Sequence, residues 1–116
     1  MLVLAEAVTL EGKVKQWCRK RDGAFDTYFP GHVRVSPRGG PFAQTGVADD
    51  ILCWHGVFVA IEVKATANDH PTALQLKFLK DVALAGGVGA VLRGRDSAKL
   101  QAIRDKVLEK VHGLRR

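Results

Sequence analysis

The sequence has 116 residues, of which 47% are hydrophobic and 26% are charged. This length suits one domain over residues 1–116, and this balance excludes a wholly disordered chain. Lysine and arginine number 18 against 12 acidic residues, so the net charge is +6. We therefore expect attraction to polyanions, nucleic acid first.

The cysteines and the apolar segments bear on the compartment. Cys18 and Cys53 are too few for a disulfide scaffold and lack zinc-binding spacing, so we expect two buried thiols in a reducing compartment. The apolar start, residues 1–8, lacks the basic region of an export signal. No apolar run approaches the ~18 residues of a membrane span. These features predict an intracellular, cytoplasmic protein with no membrane contact.

The first half of the chain is predicted to contain a helix followed by extended segments. Apolar residues at helical spacing indicate a helix over residues 9–22, with Thr9 as its N-cap. The alternating aromatic segment Ala24–Phe29 predicts a strand, and His32–Val35 predicts a further extended segment. Residues 36–46 are rich in glycine and proline and predict a loop suited to contacts.

The second half is predicted to contain a hairpin, two helices and a buried strand. Asp50–His55 and Val57–Lys64 are β-rich runs separated by a single glycine, which indicates a hairpin. A helix over Thr72–Ala85, a strand over Val88–Leu92 and a helix over 97–111 follow. The order α-β-β-β-α-β-α predicts an α/β domain with a mixed sheet flanked by helices. The inward face of the Thr72–Ala85 helix is predicted to carry Leu74, Phe78, Val82 and Ala85.

Two acidic residues and a lysine lie at one end of the predicted hairpin. Glu62 and Lys64 are two residues apart in a strand and share a face; alone, they would read as a solvated ion pair. Asp49 begins the preceding strand, and pairing would bring its Cβ atom within ~5 Å of that of Glu62. Two carboxylates this close repel each other unless a cation lies between them, and oxygen ligands suit Mg²⁺ or Mn²⁺. A lysine beside such a cation suits phosphoryl chemistry.

Six features in a fixed order resemble a known family. They are Glu11 in the first helix, Gly46-Val47-Ala48-Asp49, Ile61-Glu62-Val63-Lys64, Pro71-Thr72, Gln75 with Leu79, and Ala85-Gly86-Gly87. This set, over about residues 9–92, resembles the PD-(D/E)XK nuclease superfamily and, within it, the small stand-alone VRR-NUC domains of phages and bacteria. The resemblance implies a restriction-endonuclease-like core and a Mg²⁺- or Mn²⁺-dependent endonuclease that hydrolyses DNA phosphodiester bonds.

The resemblance also implies roles for single residues. Asp49 and Glu62 would ligate the metal together with the backbone carbonyl of Val63. Lys64 would be the catalytic lysine. Glu11 would complete the acidic cluster or contact a second ion, so it is both a catalytic and a metal-ligand candidate.

Gln75 would reach from the second helix to the edge of the site, which makes it a further catalytic candidate. The roles of Gln75 and Glu11 each have a structural alternative. Thr72 and Gln75 also match a capping box, and an acid such as Glu11 in a first turn favours the helix dipole. Asp50 directly follows Asp49, so the metal ligand could shift by one residue, although the spacing to Glu62 favours Asp49.

Basic residues are concentrated in the first third of the chain, where they either contact DNA phosphates or form a solvated helix face. The DNA-binding candidates are Lys13, Arg19, His32, Arg34 and Arg38.

The predicted function is structure-specific cleavage of branched DNA. A domain of this size leaves no room for a separate targeting domain, and a symmetric four-way junction requires two active sites. The resemblance to stand-alone VRR-NUC domains, some of which look like junction resolvases, implies a Holliday junction resolvase that acts as a homodimer. Two alternatives stay open: a non-catalytic nucleic-acid-binding module that has kept the fold, and a sequence-specific restriction-type endonuclease.

Overall fold

Helices alternate with the strands of one sheet in the computed structural model, which describes residues 9–37 and 44–114. The helices are α1 (Leu10–Arg19), α2 (Ala24–Tyr28), α3 (Ala73–Leu84) and α4 (Ser97–Leu114). The strands are β1 (Val33–Val35), β2 (Asp50–Trp54), β3 (Val57–Lys64) and β4 (Val88–Arg93). No helix within these ranges is both long and apolar enough to cross a membrane.

The strands form a mixed sheet in the order β1-β2-β3-β4. The β1–β2 and β2–β3 pairs are antiparallel, whereas β3 and β4 are parallel, and α3 supplies the crossover that a parallel pair requires. The predicted α/β class, the mixed sheet and the order of its elements are confirmed. Thr9 is the N-cap of α1, as predicted, and its side chain accepts a hydrogen bond from the Gly12 N–H.

The prediction of a strand over Ala24–Phe29 is wrong, because α2 occupies this segment. Phe25 and Phe29 are both buried, and a spacing of four suits one helix face as well as one strand face. Their ring centroids are 6.2 Å apart, and the Phe29 ring packs edge-on against Trp54. Tertiary packing therefore selected the helix, and the extended chain begins only at β1.

The two faces of the sheet are covered by different helices. Helices α1, α2 and α4 enclose the larger apolar cluster, and α3 covers the opposite face with a smaller one. Alternate residues of β3 point to opposite faces, so Glu62 and Lys64 share the α3 face with the buried Ala60. Glu62 and Lys64, at the end of β3, thus lie on the same face of the sheet as the smaller apolar cluster.

Helix α3 lies directly against β4. A methyl group at Gly89 would clash with the Leu79 backbone, and one at Gly87 would lie 2.9 Å from Cγ1 of Val82. Later residues of α3 meet earlier residues of β4, so the helix and the strand are antiparallel. The N-terminal end of α3 therefore lies toward the carboxyl end of β4.

Candidate active site

A tight turn sets the register of the β2–β3 hairpin. His55 and Gly56 have positive φ angles of 52° and 76°, which is typical of the two-residue turns that match strand twist. The resulting register pairs Asp50 with Ile61, so the preceding residue, Asp49, lies opposite Glu62. The predicted hairpin and this juxtaposition are confirmed.

Hydrogen bonds to the backbone hold the two carboxylates together. The Asp49 N–H donates to Oε1 of Glu62 over 3.1 Å, and the Val63 N–H donates to Oδ2 of Asp49 over 2.8 Å. Each carboxylate is thus held by a backbone N–H across the hairpin. Such a fixed pair of oxygen donors is suited to a preorganised site.

Two lysines and Glu11 surround the acid pair. Nζ of Lys64 lies 3.4 Å from Oε2 of Glu62 and 4.0 Å from Oε1 of Glu11. Nζ of Lys15 lies 2.9 Å from Oδ1 of Asp49 and 3.2 Å from Oε2 of Glu11. The structure therefore brings Glu11, Asp49, Glu62 and Lys64 together as predicted, and it adds Lys15 to the group.

Burial and repulsion change the electrostatics of this group. Burial first, and then the nearby charge of Asp49, raise the pKa of Glu62 to about 7. Burial also acts to lower the pKa of Lys15, but its contacts with Asp49 and Glu11 outweigh this effect and raise its pKa. The site thus holds excess negative charge that its own lysines offset only in part.

The acid pair suits a hard divalent cation by its donor chemistry. Asp49 and Glu62 offer carboxylate oxygens, which Mg²⁺ and Mn²⁺ prefer, and a cation would relieve the repulsion that raises the pKa of Glu62. Within residues 9–37 and 44–114, no three His, Cys, Asp or Glu side chains form a set that could hold a metal. Lys15 lies between Glu11 and Asp49, and the predicted part of Glu11 in the acidic cluster stays a prediction.

The backbone carbonyl of Val63 is the third oxygen ligand that the resemblance predicts. A residue in a strand points its N–H and its C=O to the same side, and the Val63 N–H donates to Asp49. The carbonyl therefore points to the side of β3 on which Asp49 lies. This position agrees with its predicted part in a metal site, which stays a prediction.

An open cleft borders the lysine side of the acid pair. It is lined by Thr9, Leu10, Glu11, Lys64, Ala65, Asp69 and His70. Lys64 thus connects the buried acids with a solvent-filled space. A substrate could approach Lys64 from this side without displacing an element of the fold.

The second aspartate, Asp50, has a different environment from Asp49. It is fully buried and its Oδ1 lies 2.9 Å from Nε of Arg19 and 3.1 Å from Nη1 of Arg34. Ser36 also donates to it over 3.2 Å. Asp49, and not Asp50, is therefore the carboxylate beside Glu62, and Asp50 fixes two arginines next to the site.

Gln75 forms the capping box in the structure. Its Oε1 accepts a hydrogen bond from the Thr72 backbone N–H over 2.8 Å, and the Gln75 backbone N–H donates to Oγ1 of Thr72 over 3.1 Å. The side chain is thus engaged at the start of α3, at the end that lies toward the active edge of the sheet. Its catalytic role stays a prediction.

The remaining DNA-binding candidates have varied surroundings. Lys13 is exposed on α1, and Arg38 lies outside the described residues. His32 is half-buried, its Nδ1 lies 2.8 Å from the Phe29 carbonyl oxygen, and its ring packs edge-on against Phe25. The histidine is therefore held locally, whereas Lys13 is free to meet a polyanion.

Similarity to known proteins lies at the level of structure. No family model and no curated protein matches the sequence. A solved structure described as a VRR_NUC domain has a TM-score of 0.55 at 21% identity, covering 87% of this chain and 96% of its own. A VRR_NUC domain protein has a TM-score of 0.54 at 20% identity, covering 86% and 89%. This chain has the VRR-NUC fold.

The resemblance that the motifs predicted is confirmed by this shared fold. Sequence reasoning nevertheless missed two residues of the candidate site. Lys15 follows Glu11 by four residues, a spacing that signals an ion pair on one helix face but not its contact with Asp49. Asp50 was weighed only as an alternative ligand, and nothing in the sequence pointed to its two arginines.

The two cysteines of this chain differ in their burial. Cys18 is buried as predicted, and burial raises its pKa to about 12. The prediction for Cys53 is wrong, because this residue is exposed. It lies in β2 between the buried Leu52 and Trp54, so strand alternation turns it to the opposite face.

Proposed function

We propose that this protein is a metal-dependent endonuclease that hydrolyses phosphodiester bonds in DNA. The observation that carries the proposal is the grouping of Asp49, Glu62 and Lys64 at one end of the β2–β3 hairpin of a nuclease fold. A cation site, a fixed lysine and an adjoining cleft meet there, which suits phosphoryl transfer. Substrate phosphates are polyanionic, in keeping with the net charge of +6.

Asp49, Glu62 and the carbonyl of Val63 would hold one Mg²⁺ or Mn²⁺ ion. When bound, the ion would supply positive charge to a phosphate oxygen and ease ionisation of water. The bond that forms joins a water oxygen to phosphorus, and the bond that breaks joins phosphorus to the leaving sugar oxygen. The proton that water loses passes to solvent or to the leaving oxygen.

Lys64 would hold the attacking water and offset the charge that develops on the phosphate. Its Nζ lies 3.4 Å from Glu62, so the carboxylate directs the ammonium toward the cation site while the cleft admits the substrate. Glu11 would hold both lysines in place through its two oxygens. This arrangement stabilises charge with groups oriented before the substrate binds.

Two substitutions test the catalytic assignment. Lys64→Ala and Glu62→Gln should each lower the cleavage rate by about 100-fold or more, because each removes a preorganised charge from the reacting centre. Lys77→Ala and Asp81→Asn alter an exposed ion pair on α3 and serve as matched controls. Thermal unfolding verifies that each variant is folded. Cleavage at the wild-type rate by both site variants would refute the proposal.

Branched DNA is the proposed substrate, and phosphate contacts would provide recognition. Lys13 is exposed, and Arg19 and Arg34 are held by Asp50, the residue that directly follows Asp49. Contacts of this type position a protein on the DNA backbone and carry little base information, which favours recognition of shape over sequence. His32 and Arg38 complete the proposed phosphate-binding set.

The proposed resolvase activity requires a homodimer, because paired cuts in a four-way junction need two active sites. The test compares a labelled immobile junction with matched duplex, single strand and flap, in Mg²⁺, Mn²⁺ and EDTA. Paired symmetric nicks that EDTA abolishes, with a dimeric mass by light scattering, would support the proposal. Cleavage confined to one duplex sequence would favour the restriction-type alternative. Binding without cleavage would favour the non-catalytic module.

A further inference from the structure

Arg93 occupies a position beside the proposed catalytic lysine. It is the last residue of β4, and the parallel register pairs it directly with Lys64. Paired residues in neighbouring strands point to the same face of a sheet. Val91, two residues earlier, packs on the α3 face with Ala60, which assigns Arg93 to the face of Glu62 and Lys64.

The charge of Arg93 is unmatched in the described part of the chain. Four other basic side chains near the site each form an ion pair with a carboxylate, namely Lys15, Arg19, Arg34 and Lys64. Arg93 has no ion pair within residues 9–37 and 44–114, and its Nε is buried without a hydrogen-bond partner. A buried donor without an acceptor lowers the stability of the fold unless a ligand accepts its hydrogen bond. A guanidinium group pairs best with a planar or tetrahedral oxyanion, such as a carboxylate or a phosphate.

Lys64 and the N-terminal end of α3 add positive charge at the end of the sheet that carries Arg93. The N-terminal end of α3 lies toward this end of β4, and the helix dipole adds positive potential there. The cleft that contains Lys64 and Ala65 lies on the same edge of the sheet, and the Gly94 N–H donates to the Lys64 carbonyl oxygen over 2.8 Å. Two cations and a helix end thus converge on one solvent-open edge.

We propose that Arg93 is a substrate-binding residue whose guanidinium holds a DNA phosphate beside Lys64. The inference rests on the proposed function and assigns it a further residue. Arginine can donate two parallel hydrogen bonds to one phosphate, whereas lysine acts as a point charge. Arg93 would therefore fix the direction of the DNA backbone as it crosses the acid pair.

The test measures DNA binding apart from cleavage. Fluorescence anisotropy with a labelled four-way junction in EDTA compares the wild type with Arg93→Met, Arg93→Lys and Lys106→Met. Lys106 is exposed and lines a groove beside Val88 and Gly89, at the opposite end of β4, so it is a matched control. We expect Arg93→Met to weaken binding about tenfold, Arg93→Lys to weaken it less, and Lys106→Met to change it less than about twofold.

The outcomes separate this inference from the proposed function. If Arg93→Met binds like Lys106→Met while the wild type cleaves DNA, the inference is overturned and the nuclease stands. If the wild type never cleaves but binding depends on Arg93, the nuclease fails and the phosphate site stands. Should Arg93→Met not fold, Arg93→Gln takes its place, because it keeps a polar head on a shorter side chain.

Discussion

Glu62 combines almost complete burial with a second carboxylate as its neighbour, and both features disfavour its ionised form. The pKa of the unfolded group is near the ordinary 4.5, whereas burial and then Asp49 raise its pKa in the folded protein to about 7. Between these values the folded state binds more protons than the unfolded state. The contribution of Glu62 to stability therefore falls as the pH rises from 4.5 to about 7.

Glu62→Gln should remove this pH-dependent cost. Without divalent ions, the variant should be more stable than the wild type at about pH 8, by about 1–3 kcal/mol, because glutamine carries no charge to bury. The difference should shrink as the pH approaches 4.5, where Glu62 is protonated in both states. Denaturant unfolding of both proteins across this pH range measures it. A difference that stays constant with pH would contradict the assignment.

Divalent ions should stabilise the wild type more than Glu62→Gln. A cation held by Asp49 and Glu62 relieves their repulsion, so Mg²⁺ or Mn²⁺ should raise the melting temperature of the wild type more than that of Glu62→Gln. Differential scanning fluorimetry with and without EDTA measures this shift. Equal shifts in the two proteins would place the cation elsewhere.

Gln75 can be tested for catalysis separately from its part in the capping box. Glutamate also serves at this position of a capping box, so Gln75→Glu should keep the melting temperature near that of the wild type. Gln75→Ala should lower stability by about 1 kcal/mol. If Gln75 acts in catalysis, Gln75→Glu should lose cleavage while it stays folded. Wild-type cleavage by Gln75→Glu would limit the residue to capping.

At the scale of elements, Asp50 joins three pieces of the structure. Its carboxylate at the start of β2 receives Arg19 from α1 and Arg34 from β1. The register of the hairpin determines that Asp49 and Asp50 point to opposite faces, one toward Glu62 and one toward the arginines. Two adjacent aspartates thus acquire different roles because a strand alternates its side chains.

The contact between α3 and β4 depends on the absence of a side chain at Gly89. Gly89→Ala should destabilise the protein by about 1–3 kcal/mol, because the new methyl group would meet the Leu79 backbone and displace the helix. Gly113→Ala is the control, since a methyl group there meets no atom within 4 Å and alanine favours helix. Thermal unfolding compares the two. Equal stability of both variants would contradict this packing.

Element types were easier to predict than element faces. The inward face predicted for α3 included Leu74 and Ala85, yet both are exposed, and the buried residues are Leu79 and Val82. The prediction is wrong for these two residues, because α3 meets Gly89 through Leu79. It is confirmed for Val82, which is buried, and for Phe78, which packs against the smaller cluster. For α4, which covers the larger cluster, the buried residues follow the apolar periodicity.

At the scale of the whole molecule, the net charge of +6 should govern affinity for DNA. The logarithm of the binding constant should fall linearly with the logarithm of salt concentration, because each phosphate contact releases counterions. Arg34→Met should reduce the magnitude of this slope by about one, and Lys77→Met, at an exposed position of α3 outside the proposed phosphate-binding set, should reduce it less. Anisotropy titrations at several salt concentrations measure the slope. An unchanged slope for Arg34→Met would exclude Arg34 from the interface.

The sequence by itself determined the hairpin, the helix caps and the spacing that places Asp49 across from Glu62, because these depend on local periodicity and turn chemistry. Only the tertiary structure decided that Ala24–Tyr28 is helical, that Lys15 meets Asp49 and that Asp50 binds two arginines. These features arise between elements far apart in the chain. Their geometry depends on how helices pack on the sheet, which no local pattern encodes.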